Sequence, residues 1–491
     1  MEKRRLDSVG VGLRRLIEDE PFLAWIASAR RGLPEAEWFV VGGTVRDALL
    51  GRNLGGDVDL LVRGVAIERA ARWLAECGEV DWVGRRFGVL KFRPSGCRET
   101  VDIAWPRTER AGMSGAYRDF EVSYDPELPV EADLGRRDFT VNALAWRVAD
   151  GQVVDTDGGL ADLEAGCLRA VGDPGRRFRE DLSRVLRGVR FACELGFDVE
   201  PATWEAMRAA APRLGESAGG VPLVPVETVA RETVKAMVAD PSRAANLLSA
   251  SGALGTLVPE LTRLRNVPQP PEWHDEGDAW MHTCLALGSF GSPQFAEFFP
   301  GKRPSALAVM AVLFHDIGKT ETMKVRDGRL TFWGHAETGA HLTRQIAERL
   351  RLANAGVDPT SLAWLVREHM FSHLVDLDEV KKTTLASRFL DDPELGEALL
   401  QLYFADVAAS WRPSGGPDFT HFNRLLAEVR RLGALAAKPL LSGEEVMAEA
   451  GLVPGPEVGH LIEAIREGQL HGRLETAEEA REFIKALGTR H

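Results

Sequence analysis

Apolar and polar positions fall into two rhythms along the chain. From Trp38 to about Gly166, short apolar runs alternate with helical stretches, the pattern of strands and helices built around a sheet. Phe39-Val40-Val41 fits a buried strand, Gly42-Gly43 a tight turn, Thr44–Leu50 a short helix, and the stretch holding Asp57 and Asp59 a second strand. Val101–Trp105 (VDIAW) reads as another strand. From about Cys167 to Leu261 the spacing is helical, as in Glu227–Val238 and Ala244–Leu257. Phe178–Phe197 reads as one helix, marked by Leu182, Val185, Leu186 and Val189. Breaker clusters at Asn266–Pro271 (NVPQPP) and Arg412–Asp418 (RPSGGPD) bound a second helical block rich in histidine, from Trp273 to about Trp411. Pro439–Leu487 is helical again, and the residues up to about Gly32 form an amphipathic lead-in. The expected fold class is α+β: a lead-in over 1–36, a small head with a mixed β-sheet over 37–166, then mostly α-helical segments over 167–265, 272–411 and 412–491.

Composition narrows this picture. A chain of 491 residues is too long for one core, and two to four domains are expected. No run of about eighteen apolar residues exists, so no membrane span is expected. The basic start has no apolar signal core, and Cys77, Cys97, Cys167, Cys193 and Cys284 form no CxxC pair. Both point to reduced thiols and a cytoplasmic location rather than a disulfide frame or zinc knuckle. The net charge of −13 does not advertise a nucleic-acid binder, yet Arg169, Arg176, Arg177, Arg179, Arg184, Arg187 and Arg190 crowd one short stretch.

Trp38–Leu61 (WFVVGGTVRDALLGRNLGGDVDLL) carries the first chemistry. The Gly42-Gly43 turn lets backbone approach a ligand, and the following helix start suits a triphosphate. Arg46 adds a guanidinium fork on that side. Asp57 and Asp59, two apart on a strand, share a face. A phosphate cradle beside two co-facial carboxylates is what two-metal nucleotidyl transfer needs. This order of elements resembles the head domain of the class II tRNA nucleotidyltransferase and bacterial poly(A) polymerase family. Arg136–Trp146 (RRDFTVNALAW) resembles the family's second motif. That resemblance assigns Arg137 to the incoming nucleotide, with Asp138 and Asn142 as organisers. Asp155–Leu163 (DTDGGLADL) looks like the hinge between head and neck. Asp102 is a further carboxylate, though many relatives have no acid there.

Phe178–Phe197 also resembles the family's EDxxR motif, with Asp181 and Arg184 in the reading positions and Leu182-Ser183 where Pro-Leu is usual. Cytosine and adenine both present an exocyclic amino donor beside a ring-nitrogen acceptor. A carboxylate that only accepts and a guanidinium that only donates complement both. Uracil and guanine reverse the order, at a cost of about 1–3 kcal/mol per unsatisfied group. The same resemblance places Arg187 and Arg190 at the nucleotide.

In the histidine-rich block, His315-Asp316 (FHDIGK) resembles the core of the HD phosphohydrolase superfamily. The pattern's upstream His and downstream Asp are matched by His282 and Asp406, and His335 and His369 add the ligands of fuller sites. Histidine with carboxylate suits a transition metal or Mg²⁺. In related enzymes this domain is associated with phosphatase and phosphodiesterase action on phosphate ends.

The resemblance implies a nucleotidyltransferase that uses Mg²⁺ on Asp57 and Asp59. It would add C and/or A from CTP and ATP to the tRNA 3′ end, with Gly43, Arg46 and Arg137 on the triphosphate. The tRNA would be held by shape and backbone. A partial enzyme that adds only A or only CC is the nearest alternative. The loop Glu109–Glu131 favours competence for A and leaves CCA addition and A addition open. A poly(A) polymerase is disfavoured by acidity, by the absence of a lysine-rich tail and by Asn142-Ala143-Leu144. A phosphohydrolase whose head only binds RNA is disfavoured by Asp57 and Asp59.

Overall fold

The structure is a computed structural model that describes residues 13, 20, 22–52, 58–84, 88–111, 120–270, 276–411, 415–436 and 440–488. Asp57 lies outside the described residues, as do 112–119 of the loop Glu109–Glu131 and Pro271 of the proline-rich stretch. The chain forms two compact units, Met1–Leu257 and Val258–His491.

The first unit is built on a seven-stranded sheet. Its strands are β1 (Glu37–Val41), β2 (Asp59–Arg63), β3 (Gly78–Gly84), β4 (Val89–Pro94), β5 (Val101–Ala104), β8 (Leu144–Arg147) and β9 (Val153–Asp155), while β6 (Arg107–Ala111) and β7 (Phe120–Tyr124) form a separate ribbon. The order is β3-β4-β5-β2-β1-β8-β9. β1 runs antiparallel to both β2 and β8, and β2 runs parallel to β5, so the sheet is mixed. Central β1 is covered on both faces, which is why Trp38-Phe39-Val40-Val41 is continuously apolar. Phe39 and Val41 pack with Leu61, Val130, Leu134, Ala143, Ala145 and Val171. Burying a side chain such as Phe39 stabilises the unit by about 1.5–3 kcal/mol.

The single helix expected over Phe178–Phe197 is instead two, Pro174–Glu180 and Ser183–Leu195. Asp181 between them is extended (φ −144°, ψ 106°), and its carboxylate accepts the Ser183 N–H at 2.9 Å. This local bond competes with the helical ladder and turns the chain. Ser183–Leu195 packs against Val226–Ala239. Likewise Ala244–Leu257 divides into Pro241–Ala250 and Ala253–Leu257, with Gly252 at φ 86° between them.

In the second unit, the histidine-rich block comprises helices such as Ala279–Ser289, Ala306–Phe314, His335–Arg349, Pro359–Leu374 and Pro393–Ala409. The terminal helices Gly443–Ala450, Pro456–Leu470 and Ala477–Gly488 close on a core of Val446, Val458, Ile465, Leu474, Ala480 and Ile484. The five cysteines are all unpaired. Among the described residues no helix is long and apolar enough to cross a membrane.

Candidate active sites

The first unit holds a cleft of about 1040 Å³, between the head and the helices that follow it. Its walls bring together Gly43, Arg46, Asp59, Arg137, Asp138, Asn142, Asp181, Arg184 and Arg187 from separate stretches of sequence. Arg107, Arg136 and Arg231 line it too. The turn works because Gly42 adopts φ 72°, and because a Cβ there would lie 2.7 Å from Arg137 Nη1. Its neighbour Gly43 opens the helix Gly43–Leu49.

Two of the cleft's cations, Arg46 and Arg187, are held by one linked set of groups. Buried Arg46 donates Nη1 to Asn142 Oδ1 at 2.6 Å and grips Asp47 with Nε and Nη2, both at 2.9 Å. Asn142 in turn donates Nδ2 to Asp138 Oδ1 at 3.2 Å. Asp138 Oδ2 accepts both Nε (2.7 Å) and Nη2 (2.5 Å) of Arg187. Burial would raise the Asp138 pKa, but Arg187 and Asn142 outweigh it and lower it to about 2. A second anchor, fully buried Asp133, receives Arg136 Nη2 at 2.6 Å and Arg137 Nη2 at 3.3 Å.

Asp59 begins β2, is exposed, and stands in register with Asp102 on the parallel neighbour β5. Asp102 pairs with Lys91 at 3.9 Å and does not line the cleft. Arg184 Nε is 4.0 Å from Asp181 Oδ2. The Arg184 guanidinium is fixed by the Arg136 and Arg177 carbonyls, at 3.0 and 3.3 Å, and by Glu180 at 3.4 Å. Asp181 and Arg184 thus meet across the helix break rather than along one helix face. Arg190 departs from its expected place: it does not line the cleft. It is held by Glu232 (2.6 Å) and Glu194 (2.9 Å), with its guanidinium 4.0 Å from the Phe191 ring centre. Buried Glu232, absent from the sequence reading, competes for it and lines the cleft itself.

In the second unit the six expected residues gather into two triads, His282–His315–Asp406 and Asp316–His335–His369. In each triad the ligand atoms lie within 4.8 Å of one another. His315, His335 and His369 each have Nδ1 on a backbone carbonyl, Val312 (2.8 Å), Phe332 (2.9 Å) and Val366 (2.6 Å). An Nδ1–H that donates to a carbonyl leaves Nε2 as a bare lone pair. The Nε2 atoms of His335 and His369 then face each other at 3.1 Å as two acceptors. His315 Nε2 is buried with no hydrogen-bond partner, 3.4 Å from Asp316 and 4.0 Å from Asp406. Converging lone pairs and carboxylates fit a divalent cation.

Three neighbours complete the cluster. Glu276 Oε1 lies 2.8 Å from His282 Nδ1, and His373 Nε2 lies 2.8 Å from Asp406 Oδ2. Lys319 Nζ lies 2.7 Å from Asp316. Gly318 permits this packing, since a Cβ there would meet the His335 carbonyl at 2.1 Å. Burial disfavours a charge on His282, yet Asp406 and Glu276 push its pKa up to about 9. Burial, then His335 and His315, lowers His369 to about 3 and keeps its imidazole neutral.

Residues 38–169 match the model of the poly(A) polymerase head domain, and 293–406 that of the HD domain. The chain is 36% identical to the A-adding tRNA nucleotidyltransferase of Deinococcus radiodurans over 78% of this chain and 85% of that one. It belongs to the tRNA nucleotidyltransferase family. The Multifunctional CCA protein of Halorhodospira halophila is 36% identical over 88% of this chain and 95% of its own. The CC-adding tRNA nucleotidyltransferase of Thermus thermophilus is 34% identical over 91% and 92%. The fold is similar to that of the Bacillus stearothermophilus CCA-adding enzyme solved in complex with CTP, with a TM-score of 0.59, 22% identity and coverage of 96% of this chain and 98% of that one. Like its relatives this family member is an enzyme, and both of its domain types use divalent metals.

Proposed function

We propose that the head adds nucleotides from CTP and/or ATP to the 3′ end of tRNA and releases pyrophosphate. The observation that carries this reading is one cleft that joins Asp59 to a linked set of arginines, with Asp181 and Arg184 in the same wall. Gly43, Arg46 and Arg137 take the triphosphate. Asp138 and Asn142 hold Arg187 and Arg46 in position for it, so these cations need no reorganisation when an anion arrives. Asp181 accepts from the exocyclic amine of cytosine or adenine, and Arg184 donates to the ring nitrogen. Asp59 together with Asp57 would hold Mg²⁺, which supplies acidity to the terminal 3′-hydroxyl and neutralises the leaving phosphates.

Incubation with labelled CTP and ATP, and with tRNAs ending in no tail, C, CC or CCA, tests this. Ordered CCA addition to the bare end identifies a complete enzyme. Addition of A to CC alone, or of CC alone, identifies a partial one. Extension past CCA identifies a poly(A) polymerase. Incorporation into none of these ends overturns the reading.

The second unit supports a second activity, metal-dependent hydrolysis of monoester or 2′,3′-cyclic phosphate ends. The facing Nε2 lone pairs of His335 and His369 carry this reading. His282, His315 and Asp406, with Asp316, His335 and His369, would hold a transition metal or Mg²⁺, which supplies a nucleophilic water at neutral pH. Hydrolysis of p-nitrophenyl phosphate and of 2′,3′-cyclic AMP with Mg²⁺, Mn²⁺, Ni²⁺ or Co²⁺ tests it. Turnover with none of these ions overturns it.

A further inference from the structure

A short hairpin leads directly into the histidine cluster. Its strands β10 (Lys324–Arg326) and β11 (Arg329–Thr331) pair antiparallel around Asp327-Gly328, both at positive φ (49° and 73°), the two-residue turn that such hairpins favour. Strand alternation sorts its side chains. Lys324 and Arg326 share a face with their cross-strand partners Thr331 and Arg329. Trp333 lies in the turn after β11, two residues beyond Thr331, and the Arg326 guanidinium lies 5.4 Å from its ring centre. Val325 and Leu330 alternate onto the other side, and Phe332 follows the end of β11.

The root of the hairpin and its strands meet different surroundings, since Val325 in the strand facing Leu330 is 71% exposed. Phe332 is buried, takes Lys319 Nζ 5.4 Å from its ring centre, and offers its carbonyl to His335 Nδ1. The root of the hairpin is therefore fastened to the cluster. Trp333, its immediate neighbour, is 78% exposed, and Lys324, Arg326 and Arg329 are exposed as well. The flat Trp333 ring beside cations matches a base with its phosphates. In a chain of net charge −13, three cations against one aspartate over this hairpin form a local exception.

We propose that this hairpin is a platform for the single-stranded end of an oligonucleotide. Trp333 stacks a terminal base, Arg326, Arg329 and Lys324 take backbone phosphates, and the terminal phosphate is delivered to the cluster. The site would then act on polynucleotide ends in preference to free mononucleotides. At such an end water adds to phosphorus, the bond from phosphorus to O3′ breaks, and O3′ leaves with a proton, giving a free hydroxyl and inorganic phosphate. The proposal rests on the reading of the cluster as a phosphohydrolase.

The test is steady-state hydrolysis by the full chain of a short 3′-phosphorylated oligonucleotide beside p-nitrophenyl phosphate. Trp333→Ala should raise KM for the oligonucleotide by about tenfold or more, the usual consequence of losing a stacking partner. Its kcat and its p-nitrophenyl phosphate kinetics should stay at wild-type values, which also reports an intact fold. Arg326→Ala/Arg329→Ala should raise the same KM and flatten its dependence on salt. An unchanged oligonucleotide KM in both variants overturns the platform and leaves the phosphohydrolase reading standing. If wild type hydrolyses neither substrate, that reading falls, and photocrosslinking of an oligonucleotide with a 3′-terminal 4-thiouridine decides the platform. Crosslinks to the peptide holding Trp333 support it, and crosslinks confined to the head overturn it.

Discussion

In the first unit, arginines such as Arg46, Arg137 and Arg187 line an open cleft, and carboxylates and amides hold each fork in place. In the second unit, His282, His315, His369 and Asp316 are buried, and His315, His335 and His369 each have Nδ1 tied to a backbone carbonyl. A guanidinium only donates, so the first arrangement is built to hold an anion directly. A histidine fixed through Nδ1 offers a lone pair, so the second is built to hold a cation that meets the anion on the protein's behalf. On the proposed reading phosphate meets arginines directly in the head, beside a carboxylate-held metal, and meets only a protein-held cation in the second unit.

That contrast can be broken most forcefully at Asp59. Asp59→Ala should reduce nucleotide addition at least about a thousandfold, a loss of several kcal/mol of transition-state stabilisation. Binding of tRNA and hydrolysis by the histidine cluster should stay near wild type. Substantial residual addition would remove the carboxylate from the account. A smaller effect is expected at Asp181. Asp181→Ala should relax selection against UTP and GTP by about ten- to a hundredfold, while triphosphate affinity changes little. An unchanged preference would mean that the base is read elsewhere.

The smallest effect is on stability. With its pKa lowered to about 2 from an ordinary 3.8, Asp138 stabilises the folded head above about pH 4, and this contribution is lost as pH falls through 2. The difference corresponds to roughly 2 kcal/mol. Denaturant unfolding should show Asp138→Asn less stable than wild type at neutral pH, with the gap closing between pH 4 and pH 2. A gap that does not change with pH would show that the Arg187 pair contributes nothing through its charge.

The residue types of both sites were legible in the sequence because each chemistry demands an unusual local spelling. Gly42-Gly43 before a helix and His315-Asp316 before Gly318 are such cases: Gly42 holds a positive φ of 72°, and at Gly318 a Cβ would collide with the His335 carbonyl. The two-carboxylate spacing put Asp59 on a strand facing the cleft, although Asp57 lies outside the described residues. What escaped was the part set by long-range partners. The break at Asp181 was hidden because the apolar positions Phe178, Leu182, Val185 and Val189 keep helical spacing across it. The Asp181-x-Ser183 pattern was its local signal. Nothing near Arg190 in sequence announces Glu232, and nothing near Arg136 and Arg137 reveals that Asp133 is fully buried. Glu276 and His373 likewise become visible only when His282 and Asp406, distant in sequence, come within 3.0 Å of each other.

The central claim is that two sites of opposite character work independently, and His315→Ala tests it most directly. Both activities are measured on one folded preparation of the variant. Metal-dependent hydrolysis should vanish, because an apolar side chain cannot replace a lost imidazole ligand, while addition of C or A to tRNA ends stays at the wild-type rate. Loss of both activities together from a folded variant would contradict the account.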